Sequence, residues 1–223
     1  MVKTTGALRR VGVFLTVGCL VAISGACSSG GGGSDAAATS TNESEAPLPP
    51  GWEPFDLGAM SGAVPPGWDD PYVLTAEEFV SSAKEGLSSA NLSAKADKVA
   101  GKLKPSDVPE VVLVILGGED GFPNINVQPC AKGVKPVSAD DGKDFAKAYG
   151  KGFGVTVEVA GEFAVKGKRF ALIRAHISNE YDTYQAFFGS ADCVSVATLT
   201  TYPGDTAPLS DFKTFLGMLR VSH

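Results

Sequence analysis

Six consecutive apolar residues, Val111-Val112-Leu113-Val114-Ile115-Leu116, constrain the fold more than any other stretch of this 223-residue chain. Val and Ile are stiff at χ1 and suit a pleated, extended backbone. Side chains of a strand alternate between its two faces, so an unbroken apolar run predicts a strand covered on both sides. The sheet it joins therefore needs a packed layer on each face.

Those layers are legible as helical stripes. Thr75-Ala76-Glu77-Glu78 has capping-box spacing, a hydroxyl with a carboxylate three residues on. Phe79, Val80, Ala83 and Leu87 then recur on one helical face. A weaker helix is expected over 94–103, stopped by Pro105 and Pro109. Ser138 and Asp141 open another, with Phe145, Ala148 and Tyr149 turned inward, and a last one over 210–221 carries Phe212, Phe215, Leu216 and Leu219.

Between the helices the period drops to two. A short strand is expected over 124–128, after the turn 117–121. From Val155 onward Val157 and Val159 alternate with Thr156 and Glu158. Lys166-Gly167-Lys168 then turns the chain into strands over 169–178, 183–188 and 193–202. Connections this short join only antiparallel neighbours. The predicted fold is an α+β sandwich, an antiparallel β-sheet covered by helices.

The start of the chain has a different character. Lys3, Arg9 and Arg10 precede an apolar run from Val11 to about Ile23, which ends in Ser24-Gly25-Ala26-Cys27. A basic end, a short apolar core and small residues at the cut are the layout of a secretory signal. The run is shorter than the roughly 20 residues a membrane-spanning helix needs. Ile23 to Cys27 resembles a bacterial lipobox, with Ser24 where a leucine is usual. It implies diacylglycerol and acyl chains such as palmitate on Cys27. Ordinary cleavage after Ala26 is the alternative. Behind Cys27 the chain is rich in Gly, Ser, Ala and Thr, a composition that buries too little apolar surface to order itself. The expected organisation is a signal peptide over 1–26, a flexible tether over 27–47 and one globular domain over 48–223, held on the outer face of the cell membrane.

Cleavage would remove three of the 19 basic residues and none of the 25 acids, taking the net charge from −6 to −9. That balance speaks against nucleic acid and against anionic lipid surfaces as partners, both of which call for clustered Lys and Arg. Two cysteines remain in the exported part, Cys130 and Cys193. An even pair in an oxidising compartment predicts one disulfide, with two free buried thiols as the alternative.

No catalytic constellation is apparent. His176 shares a strand face with Arg174, Leu172 and Phe170, and a cationic neighbour opposes its use as a base. There is no Gly-x-Ser-x-Gly or His-Glu-x-x-His. Glu77-Glu78 and Asp140-Asp141 open helices, where acids complement the macrodipole. Glu119-Asp120-Gly121 supplies too few oxygens for a calcium site by itself. No catalytic residue, metal or cofactor is expected. The candidate binding residues are aromatic: Trp52 and Trp68, in two copies of Pro-Pro-Gly-Trp, and Tyr72, with Tyr181, Tyr184 and Tyr202 also near turns or strand ends. Rings with a polar tip anchor glycans and protein partners. The alternative is that the tryptophans pin their turns to the sheet.

Pro-x-Gly-Trp near the start, a helix, a strand, Phe122-Pro123-Asn124-Ile125-Asn126-Val127, an antiparallel meander and a final Phe-x-x-Phe-Leu-x-x-Leu helix follow one another over most of the mature chain. Together they resemble the mycobacterial LpqN/LpqT-type lipoproteins, of PsbP-like α/β sandwich fold. The resemblance implies an actinobacterial envelope lipoprotein that binds or scaffolds an envelope protein, glycan or lipid without catalysis. A carrier for a lipid or other apolar ligand, in a cavity between sheet and helices, is the second expectation. An unrecognised envelope hydrolase is the third.

Overall fold

A computed structural model describes residues 47–89, 104–107, 109, 111–118, 121–131, 134–178, 181–190 and 192–222. In chain order the elements are β1 (Glu53–Asp56), β2 (Met60–Val64), β3 (Tyr72–Thr75), α1 (Ala76–Ser89), β4 (Val111–Leu116) and β5 (Asn124–Gln128). After these come α2 (Gly142–Phe153), β6 (Thr156–Val165), β7 (Lys168–Ser178), β8 (Tyr181–Gly189), β9 (Val194–Thr201), α3 (Leu209–Met218) and β10 (Arg220–Val221).

A seven-stranded antiparallel sheet runs in the order β3-β4-β5-β9-β8-β7-β6. The meander from β6 to β9 brings β9 back beside β5, with Ile125 opposite Leu199. A smaller sheet, β1-β2-β10, lies over one face. The apolar run of β4 does what its composition predicts. Val112, Val114 and Leu116 join one core, Leu113 and Ile115 the other. On the first face α1 packs against β3 and β4, and α2 against β6 and β7. On the second, α3 and the small sheet bury Met60, Phe212, Phe215 and Leu216 at 1 % exposure or less. Each such side chain contributes on the order of 1.5–3 kcal/mol of burial. The α+β sandwich is thus the observed architecture.

Local signals land close to where they were read. The Thr75 hydroxyl and N–H both donate to Glu78 Oε2, and the Glu78 N–H donates back to Thr75 Oγ1 at 3.3 Å. These bonds, the Thr75 N–H first, hold the Glu78 carboxyl below its ordinary range. Ser138 and Asp141 also bond to each other, at 2.6 Å, but α2 begins only at Gly142. A Cβ at Gly142 would lie 2.6 Å from that of Ala171, so glycine lets the helix start against the sheet. Phe145 and Tyr149 turn inward as expected, joined by Ala146, whereas Ala148 is exposed.

One expectation, at the C-terminal end, needs correction. The last helix ends at Met218. Leu219 turns extended, and Arg220–Val221 pair with β2 instead of continuing it. The small sheet itself was not anticipated, since its strands are too short to show a period. The helix expected over 94–103 lies outside the described residues, as do the side chains of Ala83 and Leu87.

One feature of the face under α1 and α2 departs from a simple apolar core. Asn124, Asn126 and Gln128 of β5 alternate with Ile125 and Val127. Thr198 and Thr200 of β9 stand beside them, followed by Thr183 and Gln185 of β8. All are at most 3 % exposed. Asn126 donates to Asn124 Oδ1 at 2.9 Å. Among the described residues, the Thr183 and Thr200 hydroxyls and both amide atoms of Gln185 have no hydrogen-bond partner.

Candidate ligand-binding cleft

The hairpin between β6 and β7 builds the rim of a cleft. Val165 pairs with Lys168 across a two-residue turn whose central residues, Lys166 and Gly167, both have positive φ, 48° and 73°. Such a turn matches the twist of the strands and prefers Asn-Gly. Lysine in the left-handed region is disfavoured by roughly 1–2 kcal/mol. The turn presents Lys166 and Lys168 side by side at one end of the sheet, both exposed.

Beside them lies a cleft of about 320 Å³ between the end of the main sheet and β10. Its floor is apolar: Phe170, Phe188 and Leu219 are 3–5 % exposed, with Val165 and Val221 half-buried above them. Behind the floor Phe163 stacks on Phe170, centroids 5.7 Å apart, and meets Phe188 edge-on at 5.8 Å. These packed rings keep the floor rigid. Arg220 completes the rim. Its Nη1 donates to Gly217 O and Leu219 O, at 3.0 and 3.2 Å, which ties it to the end of α3. On the other side of the hairpin a shallower depression of about 630 Å³ is lined by Asp140 and Asp141 as well as Lys168 and Arg169, so its charges offset one another.

The far wall of the cleft is held covalently. Cys130 and Cys193 form a disulfide, and Cys193 lines the cleft. The Ala131 N–H donates to Val194 O at 2.8 Å beside it, and the Ser190 N–H to Cys193 O at 3.1 Å. Gly189, with φ 122°, closes this turn; a Cβ there would lie 2.3 Å from Cys193 O.

The aromatic candidates divide between the faces. Both Pro-Pro-Gly-Trp segments close as turns, with the Trp52 and Trp68 N–H groups donating to Pro49 O and Pro65 O at 3.2 Å. Gly51 and Gly67 supply the positive φ, 80° and 79°. Both tryptophans pack half-buried against the core under the small sheet, and Trp68 lies on Gly117 beside Pro123. Tyr72 packs on the opposite side, in the core under α1 and α2. Burial, then the charge of Asp69, pushes its phenol up to about 12. Tyr184 is buried in the core. Tyr181 and Tyr202 do converge, on Phe122, at 5.1 and 5.6 Å. Cys27 lies outside the described residues, as do Glu119 and Asp120.

His176 has a partner the sequence did not reveal. Asp182, directly opposite it on β8, is wholly buried and binds His176 Nδ1 at 2.7 Å and Arg174 Nη2 at 2.6 Å. The Gly204 N–H donates to the same carboxylate at 3.0 Å. Burial works against the charge of Asp182, but Gly204, Arg174 and His176 together outweigh it and hold the carboxyl below its ordinary range. Arg174 also bonds Glu158 at 3.1 Å, and its guanidinium lies 5.9 Å from the Tyr184 ring centroid. Among the described residues no hydroxyl or thiol bonds to His176 Nε2, and no group of three or more His, Cys, Asp or Glu is placed to hold a metal ion. No helix among them is long and apolar enough to cross a membrane.

No protein-family model matches the chain, and no curated protein sequence matches it. Among solved structures it is similar to cyanobacterial PsbP from Synechocystis sp. PCC 6803, at 11 % identity and a TM-score of 0.41, over 77 % of this chain and 93 % of that one. A crystal structure from Bacteroides thetaiotaomicron VPI-5482 is similar at 10 % identity and a TM-score of 0.30, over 74 % of this chain and 46 % of that one.

Proposed function

We propose that this chain is a non-enzymatic binding module of the cell envelope, a lipoprotein of the LpqN/LpqT type tethered through Cys27, that holds the apolar chain of a ligand in the cleft beside the Lys166–Lys168 hairpin. The observation that carries the reading is the cleft itself. A volume of about 320 Å³ falls within the usual range for ligand sites, and an apolar floor with few polar groups at the mouth is their usual composition. The tether rests on the basic and apolar start of the chain and on Cys27. A domain kept near the membrane on a flexible linker meets hydrophobic molecules at high effective concentration.

The test uses N-phenyl-1-naphthylamine, a neutral apolar fluorophore. The purified domain is expected to bind it saturably, one per chain. Val221→Trp, which places a large ring in the mouth, is expected to abolish binding while leaving the thermal midpoint within a few degrees. Absence of saturable binding, or binding untouched by Val221→Trp, defeats the reading. Anchoring is tested separately in cells, where Cys27→Ser should abolish incorporation of radiolabelled palmitate and move the protein into the soluble fraction.

A further inference from the structure

The charge at the mouth of the cleft runs against the charge of the molecule. The chain is acidic, with a formal net charge of −6, yet every charged residue lining the cleft is a cation: Lys166, Lys168 and Arg220. All three are exposed, and neither lysine has an ion-pair partner among the described residues. The adjacent Arg169 is spent elsewhere, on Glu162. Asp192, in the turn beyond Ser190, does not line the cleft.

The backbone adds an independent observation. At φ 48° Lys166 occupies a position that Asn or Gly fills with less strain. Turn geometry therefore does not account for a lysine there. Local strain of this kind is kept where the side chain has a task. Lysine is a compact, strongly hydrated point charge on a flexible stem, able to follow a headgroup at the water boundary while an apolar chain fills the space below.

We infer that the cleft selects amphiphiles whose apolar chain ends in an anionic group, a carboxylate or phosphate, with that group seated between Lys166, Lys168 and Arg220 and the chain laid against Phe170, Phe188 and Leu219. This rests on the binding function proposed above and goes beyond it by naming the headgroup. At about 30 Å³ per small atom group, the cleft holds on the order of ten carbons. Arg220 is fixed by the end of α3, so it supplies a set position, and the two lysines adapt around it.

The experiment displaces the naphthylamine with ligands of equal chain length and different heads: decanoate and decyl phosphate against decanol and decyl maltoside. The anionic pair is expected to displace at about tenfold lower concentration, two charge-assisted contacts being enough for that factor. Their advantage should shrink with added salt, since the rim is exposed. In Lys166→Asn with Lys168→Thr the advantage should fall to about threefold or less, which Arg220 alone can supply. The thermal midpoint should hold or rise, because Asn relieves the turn. Equal displacement by neutral and anionic heads overturns the headgroup inference and leaves the cleft intact. Failure of the naphthylamine itself to bind removes the reading beneath. Vesicles of phosphatidylcholine with or without phosphatidylglycerol separate the sources. Sedimentation only with the anionic vesicles, lost in the double variant, identifies a membrane lipid, and displacement without sedimentation identifies a free amphiphile.

Discussion

Asp182 Oδ1 accepts a hydrogen bond from His176 Nδ1 at 2.7 Å across the β7–β8 ladder, with the carboxylate entirely out of solvent and the imidazole 44 % exposed. Three donors converge on one buried charge, from β7, from β7 again through Arg174, and from the turn at Gly204. The knot ties the end of the sheet to the loop that leads into α3.

Replacing Asp182 with Asn is therefore expected to destabilise the domain by about 3 kcal/mol in urea denaturation at pH 7. This is the lower end for a broken buried pair, because Arg174 and His176 reach solvent and recover hydration. The pH dependence has a definite sign. A carboxyl whose folded pKa lies below its unfolded value, about 3.9, contributes stability above pH 4 and loses it as the pH falls through the folded pKa. The wild-type thermal midpoint should fall over that acid window more steeply than that of Asp182→Asn. Parallel curves would show that the knot is not charged.

The polar strip on the inner face makes the opposite prediction. Thr183 and Thr200 stand opposite each other on β8 and β9, and neither hydroxyl is hydrogen-bonded among the described residues. Removing a buried unsatisfied hydroxyl while keeping the shape is neutral or stabilising. Thr183→Val and Thr200→Val should each leave stability unchanged or raise it by about 1 kcal/mol, read from the urea midpoint. A loss of 1 kcal/mol or more would mean that these hydroxyls have partners in solution, internal water among them.

Reduction of Cys130–Cys193 should have two effects. Opening a cross-link with a sequence separation of 63 releases roughly 4 kcal/mol of chain-entropy stabilisation. Because Cys193 lines the cleft, naphthylamine affinity should fall in the paired Cys→Ser variant at temperatures where the domain stays folded. Unchanged affinity with lowered stability would confine the bond to a structural role.

At Gly117 a Cβ would lie 2.9 Å from both the Trp68 ring and Pro123. Gly117→Ala is expected to cost about 1–3 kcal/mol through overpacking and to push Trp68 outward. In a Trp52→Phe background the emission maximum should move to longer wavelength. An unshifted spectrum would place the tryptophan elsewhere.

Much of the architecture was carried by short-range signals. The run at β4 required cover on both faces because strand side chains alternate, whatever their neighbours. Thr75 and Glu78 announced α1 because a cap is satisfied within four residues. Gly167 between two alternating segments announced a hairpin because glycine takes the positive φ that the turn needs, and Cys130 and Cys193 were the only cysteines beyond Cys27. Each of these rests on chemistry that the chain completes locally or by simple pairing. The remainder depended on which strands meet. Asp182 is one acid in a run of Thr and Tyr, and nothing nearby marks it as the partner of His176; the β7–β8 register does. β10 is two residues long, below any periodicity, yet its docking on β2 brings Arg220 and Val221 to the cleft. Lys166 and Lys168 looked like an ordinary solvated turn until Phe170, Phe188 and Leu219 were seen packed beneath them. Local backbone preferences act over three or four residues, whereas a cleft is made by surfaces distant in the chain, and only packing decides which of them face each other.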